Sequence, residues 1–280
     1  MTDQSHADWA TALFNRSVLK QAKYRRVAAL LDNPAGKTSL DIGADNGVIS
    51  YLLRRRGGRW CSADLNPETV ASIRDLVRED VYQLTGEAAP FADNTFDQIV
   101  IVDFLEHIPD DVAFVRELRR ILKPEGVLIV NVPHLKPHSL LNRFRHRIGL
   151  TDAWHGHLRP GYSLAGLRRL LEPDFAIERA ETYSGTFSEL IDTAINGLLE
   201  TLKRRKTEPG ASSKGNVVTR GDMEQHQKQF KMLSLLYPVL WTVARMDTLL
   251  PLQQGYKLIV RARLRKSGAA AELPPAVASA

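Results

Sequence analysis

Residues Ser39 to Arg56 read SLDIGADNGVISYLLRRR: a short apolar run that ends on an acid, a turn with glycines at Gly43 and Gly47, then apolar side chains at helical spacing. The run predicts a strand that carries Asp41 to the carboxyl edge of a sheet. The turn needs residues without a β-carbon wherever the backbone bends sharply or a ligand comes close. Gly47 to Arg56 then predict the first helix of a strand-turn-helix unit. Such a unit presents a helix N-terminus to a nucleotide-like ligand.

The glycine spacing narrows the ligand. A dinucleotide fingerprint needs glycines that here would fall at Asp45 and Val48. A carboxylate at Asp45 repels a pyrophosphate, whereas it is compatible with the ammonium group or sulfonium of S-adenosylmethionine. NAD is disfavoured on the same two positions. The spacing D-x-G-x-x-x-G resembles the first motif of class I S-adenosylmethionine-dependent methyltransferases, whose commoner form has glycine where Asp45 stands. A sharp strand-to-helix turn with no ligand is the alternative reading of this motif alone.

Arg59 to Leu65 (RWCSADL) predict a second strand ending in Asp64, 23 positions after Asp41, where a carboxylate can accept both ribose hydroxyls of an adenosine. Asn66 and Pro67 start the next helix. Thr85 to Asp97 (TGEAAPFADNTFD), the strand Gln98 to Val102 (QIVIV), the following DFLEHIPDD and Leu122 to Pro133 (LKPEGVLIVNVP) resemble the same family in order and spacing. Glu125 stands where a glycine is common. The resemblance covers about Lys37 to Ser184. It implies an α/β, Rossmann-like fold with a seven-stranded, mostly parallel sheet of order 3-2-1-4-5-7-6. It also implies S-adenosylmethionine as cofactor, held by Asp41, Gly43, Ala44, Asp45, Gly47, Asp64, Leu65, Thr85, Gly86, Glu87, Asp103, Phe104 and His107.

Working outward, Trp9 to Leu31 predict an amphipathic helical region, within an N-terminal lid segment of residues 1–36; Asn15, Lys20 and Lys23 could reach over the cofactor from it. The binding core is expected at 37–186. Within it, Ser163 caps a helix to Leu171, and the sixth strand runs from Phe175 to Tyr183. An insertion of 187–254 precedes a last strand at Tyr256 to Leu264, within 255–265, and a disordered tail of 266–280. In the insertion, Ser188 to Leu202 predict a helix and Lys206 to Gln229 a mobile polar loop. Met232 to Pro251 (MLSLLYPVLWTVARMDTLLP) is the most apolar piece of the chain. Its uncharged stretch before Arg245 is 13 residues, too short to span a bilayer, and Pro238 interrupts it. It reads either as a buried cap over the site or as a surface dipping into a membrane interface, for which Tyr237 and Trp241 are suited.

The 280 residues, 44% hydrophobic and 25% charged, suffice for an α/β core plus one appendage. The single cysteine, Cys61, allows no intramolecular disulfide and reads as a packing residue. The N-terminus lacks the pattern of a secretory signal, so the expected location is cytoplasmic, with peripheral contact at the inner face of a membrane as an added option. The net charge of +6 is spread over short basic clusters without an aromatic stacking platform, so nucleic acid is not the expected partner.

Methyl transfer asks for a nucleophile aligned with the methyl group and a base to take its proton. Candidates are Asp103 and His107 after the fourth strand, His134 after the fifth, and His155, His157, Arg159 and Tyr162 in WHGHLRPGY. His157 or His134 is the expected general base, and Arg159 with Tyr162 the expected anchor for the acceptor. No metal is expected, since His155 and His157 lack a third ligand at helpful spacing. The leading reading is a methyltransferase on a small-molecule, sugar or lipid-linked acceptor. The alternatives are an RNA or protein methyltransferase, and a non-catalytic cofactor binder or scaffold at a membrane surface.

Overall fold

The computed structural model describes residues 4–44, 46–85, 88–152, 156–204, 227–250 and 254–265. Asp45, Gly86, Glu87, His155, most of the polar loop and the tail lie outside these residues. Seven strands form one sheet: β1 (Thr38–Ile42), β2 (Arg59–Asp64), β3 (Val81–Gln83), β4 (Phe96–Val102), β5 (Leu122–Pro133), β6 (Phe175–Tyr183) and β7 (Lys257–Leu264), in the order β3-β2-β1-β4-β5-β7-β6. All pairings are parallel except those of β7, which runs antiparallel between β5 and β6. This is the predicted order, and the predicted ends of β6 match the observed ones.

The central strands are apolar on both faces because helices cover both. On one face Phe96, Ile99, Ile101 and Val130 pack with Leu118 and Ile121 of helix α5 (Asp111–Ile121) and Leu167 and Leu171 of α7 (Leu164–Leu171). On the other, Val100, Val102 and Ile129 meet Val27 and Leu30 of α2 (Val18–Leu30), Val48 and Leu53 of α3 (Val48–Arg54) and Ile73 of α4 (Pro67–Val77). Burying such side chains is worth about 1.5–3 kcal/mol each, the main drive for the three-layer stack.

Helix starts follow local chemistry. Asn66 Oδ1 accepts from Glu68 N at the start of α4, with Pro67 at the first turn, and Ser163 Oγ accepts from Gly166 N at the start of α7. The N-terminal region is two helices, not one: α1 (Gln4–Phe14) stops at Asn15, and Ser17 caps α2 through Lys20 N. Ser139 caps the short α6 (Leu140–Arg147).

Between β6 and β7 stand two long helices, α8 (Thr186–Arg204) and α9 (Gln227–Arg245). Asp247, just past α9, accepts from Phe187 N (2.8 Å) and Ser188 N (3.1 Å), so a carboxylate from the far end of the insertion caps α8 and closes the pair. Helix α9 continues through Pro238, which costs a backbone donor but does not end the helix as the sequence pattern implied. Tyr237 on α9 accepts from Gln21 Nε2 of α2 at 2.8 Å, tying the insertion to the N-terminal helices.

Candidate active site

In an open sheet of this order the ligand crevice lies outside the carboxyl ends of the strands around β1 and β4. At its β1 side, Gly43 has φ +81° and donates its N–H to Ala63 O. A Cβ there would overlap the Val102 carbonyl and lie 2.7 Å from Phe104 Cβ. Gly47, at φ +85°, begins α3, and a Cβ on it would sit 2.8 Å from Ile73 Cα. Both glycines are therefore required by how the turn nests against β4 and α4, which leaves the turn's backbone close to the sheet edge. Ala44 is buried beside them. Asn46 is fully buried with its Nδ2 donor unsatisfied among the described residues.

Asp41 does something other than the expected ligand contact. It is buried, with Oδ1 accepting from Ser50 Oγ (2.5 Å), Oδ2 from Ser62 Oγ (2.8 Å), and the Arg54 guanidinium 3.5 Å away. Burial pushes its carboxyl up, against the pull of Arg54 and the two hydroxyls. Its oxygens clamp β1, β2 and α3 together. Asp64, at the tip of β2, has Oδ1 on Asn66 N (2.9 Å) and reaches the same edge, with Leu65 half-buried behind it and Thr85 exposed beyond β3.

At the β4 side the edge is charged. Asp103, at φ +44°, is paired with Lys23 of α2 and receives Lys257 Nζ of β7 (3.1 Å) and Asn131 Nδ2 of β5 (3.1 Å). Burial alone would raise its carboxyl, but the two ammonium groups outweigh that and hold it well below the usual carboxylate range. Lys23 thus crosses from α2 and ties the N-terminal helices to the end of β4. Phe104 belongs to the core, stacked 5.6 Å from Phe114. Glu106, in the turn Leu105–His107, is fully buried; burial, then the Asp103 charge, push its carboxyl up to about 8.

His134 follows β5, is buried, and has Nδ1 2.9 Å from Gly255 O. A carbonyl only accepts, so Nδ1 carries the proton and Nε2 the lone pair. His157 stands against His107, with ring centroids 4.9 Å apart. Arg159 and Tyr162 do not form the expected acceptor anchor. The Arg159 guanidinium is paired with Asp111 and donates to Tyr162 Oη (2.6 Å), Ile108 O (2.9 Å) and Pro109 O (3.0 Å), while Tyr162 Oη reaches Asp111 at 2.8 Å. With both terminal nitrogens engaged, Arg159 staples the 156–162 loop to the start of α5. That loop also pairs with the end of β5 and passes Leu158 N to Glu106 O.

Sequence reasoning passed over Glu106 and Lys257. The first was in view inside L-E-H, and the second as a basic residue alternating with apolar ones in YKLIVRARL; that alternation signals an inward register only once β7's place in the sheet is known.

Residues 40–130 match the family model described as a methyltransferase domain. The ubiquinone biosynthesis O-methyltransferase of Pseudomonas paraeruginosa strain DSM 24068 / PA7 is 32% identical over 113 residues, 38% of this chain and 49% of that protein. The demethylmenaquinone methyltransferase of Tropheryma whipplei strain Twist is 31% identical over 118 residues, 41% and 49% respectively. The core is a class I S-adenosylmethionine-dependent methyltransferase domain. This chain spans about half the length of these two curated relatives. In fold, the methyltransferase domain is shared with a SAM dependent methyltransferase from Archaeoglobus fulgidus, at a TM-score of 0.53 and 16% identity over 88% of this chain and 93% of that one.

S-adenosylmethionine is the cofactor of this domain class, and the donor set of the site fits it. The Gly43 turn stands at the end of β1, and the Asp64 carboxylate at the tip of β2 is of the kind that accepts ribose hydroxyls.

Proposed function

We propose that the protein transfers a methyl group from S-adenosylmethionine to a small, apolar or lipid-linked acceptor that carries an ionisable oxygen, nitrogen or carbon. The observation that carries this reading is the placement of the Gly43 turn, Asp64 and His134 at the carboxyl ends of the parallel strands β1, β2 and β5, with His134 Nδ1 held by Gly255 O. The names of the two curated relatives, which concern quinones, support an acceptor of that kind.

Asp64 would accept the ribose hydroxyls, the 43–47 turn would hold the amino-acid end, and Leu65 and Thr85 would flank the adenine. When bound, the sulfonium supplies an electrophilic methyl group. His134 Nε2 takes the proton from the acceptor, because the tautomer fixed by Gly255 leaves that nitrogen as the acceptor. The Lys23 to Asp103 contact holds α2 across the opening, so water is kept from the nucleophile. His157 is the second candidate for the base.

The acceptor's greasy part is supported by the surface. Helix α9 was expected to be either buried or membrane-facing; among its described residues only Ala244 is buried, while Met232, Leu235, Leu236, Val239 and Trp241 are exposed, Leu235 to 80%. Helix α6 adds exposed Leu140 and Phe144 among Arg143 and Arg147. Exposed apolar side chains beside arginines match contact with an anionic lipid surface. No helix among the described residues is long and apolar enough to cross a membrane.

The test is transfer of labelled methyl from S-adenosylmethionine to a reduced demethylmenaquinone in vesicles, a water-soluble catechol, and total RNA. Label in the prenylated acceptor, reduced about 10²-fold or more by His134→Ala, supports the reading. Label in RNA alone would overturn it.

A further inference from the structure

The turn Leu105–His107 puts two consecutive side chains against one loop. Glu106, His107 and His157 each offer a ligand atom, and the three atoms lie within 4.8 Å of one another. Glu106 Oε1 is 3.8 Å from His157 Nε2. Glu106 is fully buried, and neither of its carboxylate oxygens has a hydrogen-bond donor among the described residues. A buried carboxyl group without hydrogen-bond partners is costly, and native structures rarely keep one without a purpose.

His107 adds an independent sign. Its Nδ1 is 3.0 Å from Gly156 O; the carbonyl can only accept, so the proton sits on Nδ1 and Nε2 keeps its lone pair. Metal-bound histidines are held in this way, by a backbone carbonyl on the other ring nitrogen. The site also has an approach, because His107 and His157 are only half-buried.

We propose that Glu106, His107 and His157 bind a divalent transition-metal ion in a two-histidine, one-carboxylate site. Nothing in the methyl-transfer reading uses these three residues together as ligands, and the site stands or falls apart from that reading. Two imidazole nitrogens and one carboxylate oxygen suit Zn²⁺, Fe²⁺, Co²⁺ or Mn²⁺ better than Ca²⁺ or Mg²⁺, which take oxygen shells. Ligand atoms about 2.1 Å from a tetrahedral ion stand about 3.4 Å apart. Closing from 3.8 Å between Glu106 and His157 therefore needs only a small side-chain adjustment. Three protein donors leave the shell open, as in sites that hold a water or substrate oxygen.

The metal-stripped 280-residue chain should be titrated with Co²⁺ and Zn²⁺, with Mg²⁺ as comparison. The Co²⁺ visible band and metal content after dialysis would be read. One equivalent of Co²⁺ or Zn²⁺, a Co²⁺ band, and no retained Mg²⁺ are expected. Glu106→Gln and His157→Ala should each weaken binding more than the roughly 100-fold typical of outer-shell changes, while the exposed His146→Ala should bind like wild type. S-adenosylmethionine binding, measured on the same samples, shows that each variant is folded and separates failure of this site from failure of the domain reading. Folded chain that retains no metal, or Glu106→Gln that binds as tightly as wild type, would overturn the site and leave Glu106 as a buried neutral acid.

Discussion

Where β1 and β2 end, the crevice is shaped by backbone; where β4 and β5 end, it is shaped by charge. On the first side, two glycines nest against neighbouring main chain, and the internal acid, Asp41, is clamped by Ser50, Ser62 and Arg54. On the second, Asp103 holds two ammonium groups from distant elements, and Glu106 is buried without a donor among the described residues. The first side is held by main-chain nesting and hydrogen bonds, the second by ion pairs that reach across the fold. The difference teaches that one edge of the sheet is set by local main-chain contacts and the other by charges that arrive from distant elements.

Four substitutions break or sharpen that contrast. Gly43→Val should have the largest effect, since it forces a side chain into Val102 and Phe104 at a left-handed φ; a loss of about 3 kcal/mol or more in urea unfolding, together with loss of cofactor binding, is the expected outcome. Asp103→Asn follows: it leaves Lys23 and Lys257 without their counter-ion, at about 2–3 kcal/mol given the partial exposure of the three side chains. Because its folded carboxyl lies below the ordinary value of 3.8, the stability that Asp103 contributes is present above that pH and fades as pH falls below it. The wild-type advantage over Asp103→Asn should therefore be full at pH 7 and shrink in acid unfolding below about pH 4.

Asp64→Ala probes the quiet side. Removing one or two charge-assisted hydrogen bonds should weaken cofactor binding by about 10 to 100-fold in calorimetry, with stability changed by about 1 kcal/mol or less through the lost Asn66 contact. An equal loss of stability and affinity would erase the contrast. The smallest effect on the fold is expected from Leu235→Glu on α9, within about 0.5 kcal/mol of wild type because the side chain is exposed; flotation with anionic vesicles should nonetheless fall.

The quiet side was legible in the sequence because its signals are local. A strand, a glycine turn and an acid two dozen residues on lie in one stretch, and the order of later strands follows from the alternation of apolar runs with helices. The charged side was legible only in pieces. His107 and His157 could each be picked out, yet what joins them is a loop 49 positions further on, held by His107 Nδ1 on Gly156 O. Arg159 looked like an anion anchor because its partner, Asp111, is 48 positions away. Asp41 read as a ligand contact for a similar reason: Ser62, one of the side chains that occupies it, belongs to the next strand. Glu125, standing where the family commonly has glycine, takes φ +62°, so there the sequence departure keeps the backbone shape and pays for it in strain.

The most direct test of the account is calorimetric titration of the full chain with S-adenosylmethionine and with its demethylated product, wild type beside Asp64→Ala. Micromolar binding of both sulfur ligands to wild type, weakened at least about tenfold in folded Asp64→Ala, is the result the account predicts. Folded wild-type protein that binds neither ligand would contradict it.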